Sequence, residues 1–360
     1  MQSVRQPASK SSPWVIALLV AAVPLWSEAG MAADASVADV GVEAQPVLDD
    51  RYPIVPVSII PAVESYRDLI YSVPPGFRPL RLDLYRQKGA ATTPKPLVIY
   101  IHGGGWQSGH TRHSGAFANW PGVLAKLAAK GYVVASIEYR MSGEAKFPAA
   151  LQDVKASIRW LRSNADKYGI DRSRAIVWGG SAGGHLAALA ATTCGVQSLD
   201  PVVPPGAQTA APVESDCVQG LVAWYGIFDF ASMPTLQSPG GGPSAIEKFL
   251  GCSPAQCSDK VAAASPVTYV DPSDPPALLI HGEADKVVPV AQSRAFQQLL
   301  KSRNMHVELL VIPGADHSFI SGTPAATQEA SLTALSKTFA FIDATVGAKA
   351  LGVKTGSEAE

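Results

Sequence analysis

The residues best suited to chemistry are Gly179-Gly180-Ser181-Ala182-Gly183. This G-x-S-x-G run follows a short apolar stretch and opens an alanine- and leucine-rich one. That setting belongs to a sharp strand-to-helix turn that holds a serine out for attack. The flanking glycines are needed because side chains there would collide with the adjoining strand and helix. The amide of Ala182, at the start of the helix, points toward a developing oxyanion. A second run, His102-Gly103-Gly104-Gly105-Trp106, follows another apolar stretch. Three successive glycines cost chain entropy on folding. A bare backbone repays that cost if its amides must approach a substrate oxygen closely, as in an oxyanion hole. Gly104 and Gly105 are the candidate donors alongside Ala182, with Trp106 a further alternative. His102 is read as a hydrogen-bonding residue that shapes this loop.

A nucleophilic serine needs a base, and the base needs a carboxylate to orient it. Four of the seven histidines follow Ser181: His185, His281, His306 and His317. His185 falls in the first turn of the serine helix, His281 ends an apolar run and His306 precedes one. His317 lies in Gly314-Ala315-Asp316-His317-Ser318-Phe319, after the last apolar run, where a loop can bring it over Ser181. The acid is expected after the preceding run, within His281-Gly282-Glu283-Ala284-Asp285. Asp285 is the choice, with Glu283 and Asp316 as local alternatives. Glu283 is expected to brace the loop.

Elements that could position these groups recur along the chain. Strands are expected at 69–71, 80–85, 96–101, 132–137, 175–178, 221–225, 277–280 and 307–312. The alternation at 80–85 suits a half-exposed edge. Helices are expected at 120–130, 148–168, 182–191, 292–301 and 328–345, with Gly131 and Gly169 as stop signals. This alternation predicts a mostly parallel sheet covered on both faces. Two stretches rich in Pro, Gly, Ser and Ala, 195–220 and 229–276, interrupt it. Both carry cysteines, and both are read as the rim of the site. Trp106, Trp120, Trp224 and Tyr225 are either core or pocket lining.

The 360 residues carry a net charge of −1. With no basic excess, nucleic acid is not expected as a partner. Residues 1–35 read as a signal peptide: Arg5 and Lys10, an apolar run at 14–26, then small residues. The run is short of the roughly 20 residues that span a bilayer. An uncleaved anchor is the alternative, and no stable membrane insertion is expected once the leader is removed. Residues 36–65 read as an arm, 66–348 as the catalytic domain and 349–360 as a disordered tail. Four cysteines in an exported chain point to disulfides. Local spacing favours Cys194–Cys217 and Cys252–Cys257. There is no CxxC pair or HExxH run to suggest zinc, and the chemistry calls for no metal or organic cofactor.

On His102–Trp106 (HGGGW), 138–140 (EYR), 147–153 (FPAALQD), 179–189 (GGSAGGHLAAL), 281–289 (HGEADKVVP) and 314–319 (GADHSF), the chain resembles the α/β-hydrolase esterase/lipase superfamily. It most resembles the bifunctional acetylxylan/feruloyl esterase-like branch related to hormone-sensitive lipase. The likeness runs from about residue 80 to 346. It implies the α/β-hydrolase fold, a Ser181–Asp285–His317 triad and a Gly104/Gly105/Ala182 oxyanion hole. The N-terminal arm is short for the helical cap common in the lipase-like branch. The expected function is hydrolysis of short-chain, aryl or acetyl carboxylic esters, small or polysaccharide-linked, in the periplasm or outside the cell. Amide hydrolysis, by a peptidase or an arylformamidase-like enzyme, and a non-catalytic binding protein on the same fold are the alternatives.

Overall fold

The computed structural model describes residues 59–89, 93–202, 213–234 and 242–347. The expected signal peptide, most of the arm and the tail at 349–360 lie outside the described residues. Each of the eight expected strand runs forms a strand. They are β1 (Val63–Ser72), β2 (Leu80–Gln87), β3 (Lys95–Ile101), β4 (Val133–Ile137), β5 (Ile170–Gly180), β6 (Gly220–Trp224), β7 (Ala277–Gly282) and β8 (Val307–Ile312). They make one sheet in the order β1-β2-β4-β3-β5-β6-β7-β8. Strands β3 to β8 pair in parallel, and β2 runs antiparallel to both of its neighbours.

Period-two side-chain alternation divides the core into two layers. Leu97, Ile99 and Ile101 of β3 face one layer, and Val98 and Tyr100 face the other. Helices α1 (Trp120–Ala129), α2 (Ala149–Ser163), α3 (Ala165–Tyr168) and α4 (Ala182–Thr192) follow in chain order. After β6 come α5 (Ala245–Leu250), α6 (Ser258–Ala263), α7 (Ala291–Ser302) and α8 (Pro324–Val346). Leu151, Val154 and Ile158 of α2, Leu186 of α4 and Phe296 of α7 fill the first layer. Trp120 and Leu124 of α1 and Phe341 and Ile342 of α8 fill the second. The strands are therefore covered on both faces, which is why most read as unbroken apolar runs.

Strand β2 departs from the sequence expectation. It lies between β1 and β4 and is not a half-exposed edge. Its polar Asp83 is buried because Arg112 Nε reaches its Oδ2 at 2.6 Å and Thr111 Oγ1 donates to the same oxygen at 3.1 Å. The helix expected at 148–168 breaks at Asn164 into α2 and α3.

The described residues of the two cysteine-bearing stretches sit at opposite ends of the sheet. The stretch at 229–276 leaves the carboxyl end of β6, as a rim element should. It also holds two helices that composition concealed. Ser244 and Glu247 close a capping box at the start of α5, and Gly251 ends it at φ 78°. The stretch at 195–220 instead follows α4 and leads into the amino end of β6, so its reading as rim is incorrect. There, buried Lys155 Nζ donates to Thr193 O at 2.8 Å and pairs with Asp200 and Asp216 at 3.1 Å. Cys194 and Cys217 are paired with a Cα separation of 4.9 Å, and Cys252 and Cys257 with one of 6.4 Å.

Candidate active site

The parallel strands deliver their loops to one end of the sheet, and the chemistry-bearing residues converge there. Ser181 joins β5 to α4 with φ 55° and ψ −122°. For a non-glycine residue this conformation costs on the order of 1–3 kcal/mol and needs support from its surroundings. The support is backbone contact. A Cβ on Gly179 would overlap the Gly183 carbonyl, and one on Gly183 would overlap the Ile101 carbonyl. The Ser181 amide is held by the Trp224 carbonyl at 2.9 Å.

Ser181 Oγ lies 3.0 Å from His317 Nε2, and His317 Nδ1 lies 2.8 Å from Asp285 Oδ2. A carboxylate only accepts, so His317 carries its proton on Nδ1 and presents Nε2 as the acceptor for the serine hydroxyl. Asp285 Oδ1 accepts from the amides of Val287 at 2.9 Å and Val288 at 2.8 Å. Burial alone would raise the Asp285 carboxyl. Hydrogen bonds from His281 and His317 and from the Val288 amide outweigh it and hold Asp285 well below the usual carboxylate range.

The two carboxylate alternatives have other places. Asp316 accepts from the amides of Lys286 at 2.9 Å and His317 at 2.7 Å, which ties the acid loop to the base loop. Glu283 has an exposed side chain, so the bracing expected of it falls to Asp316. The loops also meet through Gly282, where a Cβ would overlap the Ala315 carbonyl.

The other histidines are structural or peripheral. His281 is buried, with Nδ1 2.7 Å from Ser293 Oγ and Nε2 2.8 Å from Val288 O. His185 accepts from Trp106 Nε1 at 3.2 Å and donates to Ala264 O at 2.7 Å, joining the serine helix to the 229–276 stretch. Burial lowers His185 to about 4. His102 donates from Nδ1 to Gly103 O at 2.8 Å, and burial lowers it to about 4 as well. His306 pairs loosely with Glu308 at the surface.

The glycine loop packs directly on the serine turn, where a Cβ on Gly103 would stand 2.8 Å from the Gly180 carbonyl. Gly104 at φ 113° and Gly105 at φ 59° occupy the left-handed region that favours glycine. Gly104, Gly105 and Ser181 line a cavity of about 670 Å³ together with Tyr225 and His317. Trp106, Trp120 and Trp224 are core: Trp106 stacks on Phe249 at 4.5 Å, and Trp120 and Trp224 are fully buried. Tyr225 lines the cavity, and its ring lies edge-on to His317 at 4.8 Å. Sequence reasoning missed the part that His110, His113 and Ser114 play in this wall. The signal was Gly109 and Gly115, both at positive φ, which continue the glycine-rich loop.

The fold and the arrangement of these loops define an α/β-hydrolase. The family model described as BD-FAE matches residues 82–300, and the chain belongs to that family. The chain is similar to esterase LipC of Mycobacterium tuberculosis, 35% identical over 243 residues, covering 66% of this chain and 56% of that protein. It is also similar to the probable carboxylic ester hydrolase LipM of the same organism, at 32% identity over 241 residues, covering 66% and 53%. The chain thus spans about half the length of the curated relatives it matches. Among solved structures it resembles a bifunctional GH43-CE protein of Bacteroides eggerthii, with TM-score 0.64 and 32% identity over 79% of this chain and 38% of that one. A truncated carbohydrate esterase from gut microbiota matches with TM-score 0.59 and 30% identity, over 77% and 96%.

Proposed function

We propose that this chain hydrolyses carboxylic esters through an acyl-enzyme on Ser181. The observation that carries the reading is the Ser181–His317–Asp285 chain of hydrogen bonds at 3.0 and 2.8 Å. The names of the related esterases support the same chemistry. His317 Nε2 takes the Ser181 proton as Oγ attacks the ester carbonyl carbon. The C–Oγ bond forms while the carbonyl electron pair moves onto oxygen. That oxyanion meets the amides of Gly104, Gly105 and Ala182. His317 then gives its proton to the departing alcohol oxygen as the ester C–O bond breaks. Water, deprotonated by His317, attacks the acyl carbon, and Ser181 leaves with the proton returned. Asp285 keeps the Nδ1 proton in place and stabilises the imidazolium throughout.

The substrates proposed are short-chain, aryl or acetyl esters, small or attached to polysaccharide. The cysteine pairs and the leader-like residues 1–35 support an exported location in the periplasm or outside the cell. Among the described residues no helix is long and apolar enough to cross a membrane.

Ser181→Ala is expected to lower kcat on p-nitrophenyl acetate by at least ~10³-fold without loss of folding, and to abolish labelling by a fluorophosphonate. Wild-type protein that neither labels nor turns over would instead indicate a binding protein. Faster turnover of a dipeptide anilide than of acetate esters would indicate amide chemistry.

A further inference from the structure

Beyond the catalytic cavity a second hollow of about 650 Å³ opens between the 116–118 segment and the start of α8. Ile320 lines both hollows. A shallower depression of about 530 Å³ continues past Gln328 and Leu332, which line it together with the second hollow. Together they form a path from Ser181 along α8. Ile320 and Leu332 stand on this path with 53% and 49% of their surface exposed, while most side chains of that size are buried. Ser331 lines the second hollow, and its Oγ is buried with no hydrogen-bond partner among the described residues. An unpaired buried hydroxyl is a cost that a bound ligand removes.

Chemistry decides which half of an ester would use this path. The general acid must reach the leaving oxygen, so the alcohol lies against His317 Nε2. Ile320 is three residues beyond His317, and the path starts on that side. Resting on the esterase reading above, we infer that the groove from Ile320 to Leu332 is the subsite for the ester's alcohol. It takes an uncharged alcohol longer than the catalytic cavity, with an apolar face for Ile320 and Leu332 and a hydroxyl for Ser331. Binding energy gained there, away from the reacting bond, serves the chemical step. The chain therefore discriminates among esters by the alcohol they release more than by acyl length.

The test is kcat/KM of the full chain on two series. One keeps an acetyl group and lengthens a neutral hydroxylated alcohol from ethanol to one spanning Ser181 to Leu332. The other keeps ethanol and lengthens the acyl chain. Leu332→Trp fills the groove from an exposed position, and Gln328→Trp serves if that variant fails to fold. Either is expected to lower kcat/KM for the longest acetate about 10-fold and to leave ethyl acetate and the acyl series within about 2-fold. Ser331→Ala is expected to raise KM for the long hydroxylated acetate and not for its deoxy counterpart. Equal losses on both series, or no loss on the long acetates, would overturn the inference. Wild-type protein inert to every ester would fail the esterase reading itself.

Discussion

At the carboxyl end of the sheet the non-glycine residues Trp106, Ser181, Tyr225, Ser318 and Phe319 all hold positive φ. At the amino end the returning chain is secured by ion pairs and backbone capture. Lys155 and Arg159 hold Asp200 and Asp216, and Arg162 donates to the Ser215 and Cys217 carbonyls. Each end carries one cysteine pair. The upper end keeps residues in unfavourable conformations to aim groups at a cavity. The lower end returns a long connection to the start of β6. The contrast teaches that positive φ gathers where the loops form the cavity, which Arg140–Asp153 and Arg112–Asp83 also tether, while buried ion pairs hold the returning chain at the amino end. Strain accompanies chemistry, and tethering secures the elements that bear it.

Breaking the upper end is expected to abolish rate before stability. Asp285→Asn removes the carboxylate that fixes the His317 tautomer, and kcat is expected to fall about 10²- to 10⁴-fold with little change in melting temperature. If Asp316→Asn proves crippled while Asp285→Asn turns over normally, the acid has been assigned to the wrong residue. Breaking the lower end should do the reverse. Lys155→Met leaves the buried Asp216 carboxylate leaning on Arg159 alone, and about 3 kcal/mol of stability is expected to vanish in urea titrations. Its kcat should match the wild type; a large loss of rate would mean that the two ends are coupled.

Acid should separate the ends next. His102 and His185, both at the upper end, are lowered to about 4 by burial. An unfolded histidine binds a proton below about 6.5. Between those values the unfolded chain holds more protons than the folded one, so stability is full above about pH 6.5 and is lost as pH falls toward 4. The loss is of order 3 kcal/mol for each histidine at most. At the lower end, burial would raise the Asp200 carboxyl, but hydrogen bonds from Arg159 and Lys155 hold it below the usual range. Its contribution is therefore lost only at more acid pH. Denaturation free energies measured from pH 7 to 4.5 check this, and a flat profile would refute it.

The bridges act on both ends. Cys194 and Cys217 are 23 residues apart, and Cys252 and Cys257 are 5 apart. Replacing the first pair by serine is expected to cost about 3 kcal/mol, and the second about 2. The second, in the connection above the sheet, should alter turnover of bulky esters more than of acetates. Peptide mapping without reductant tests the connectivity, and four free thiols in exported protein would remove both bridges.

Much of this arrangement was legible because it depends on local sequence. Strands buried on both faces read as apolar runs, and the G-x-S-x-G turn and the glycine loop advertise positions that exclude side chains. Asp285 and His317 followed from the order of the runs. What could not be read depends on long-range packing. Nothing near Lys155 announces that Asp200 and Asp216 will surround it. Placing 195–220 at the rim failed because the end of the sheet a connection occupies depends on whether it follows a strand or a helix. Helices α5 and α6 are each six residues long, too short for apolar periodicity to register, although the Ser244–Glu247 cap was a usable sign.

The nearest contacts of Gly103, Gly179 and Gly183 are main-chain carbonyls, so the glycine loop and the serine turn meet backbone to backbone. Spacing set by peptide units alone does not respond when neighbouring side chains are exchanged. The reactive centre is thus insulated from drift in the surrounding sequence. Rim residues such as Ile320, Val287 and His113 are free to change the molecule's preferences without retuning the chemistry beneath them.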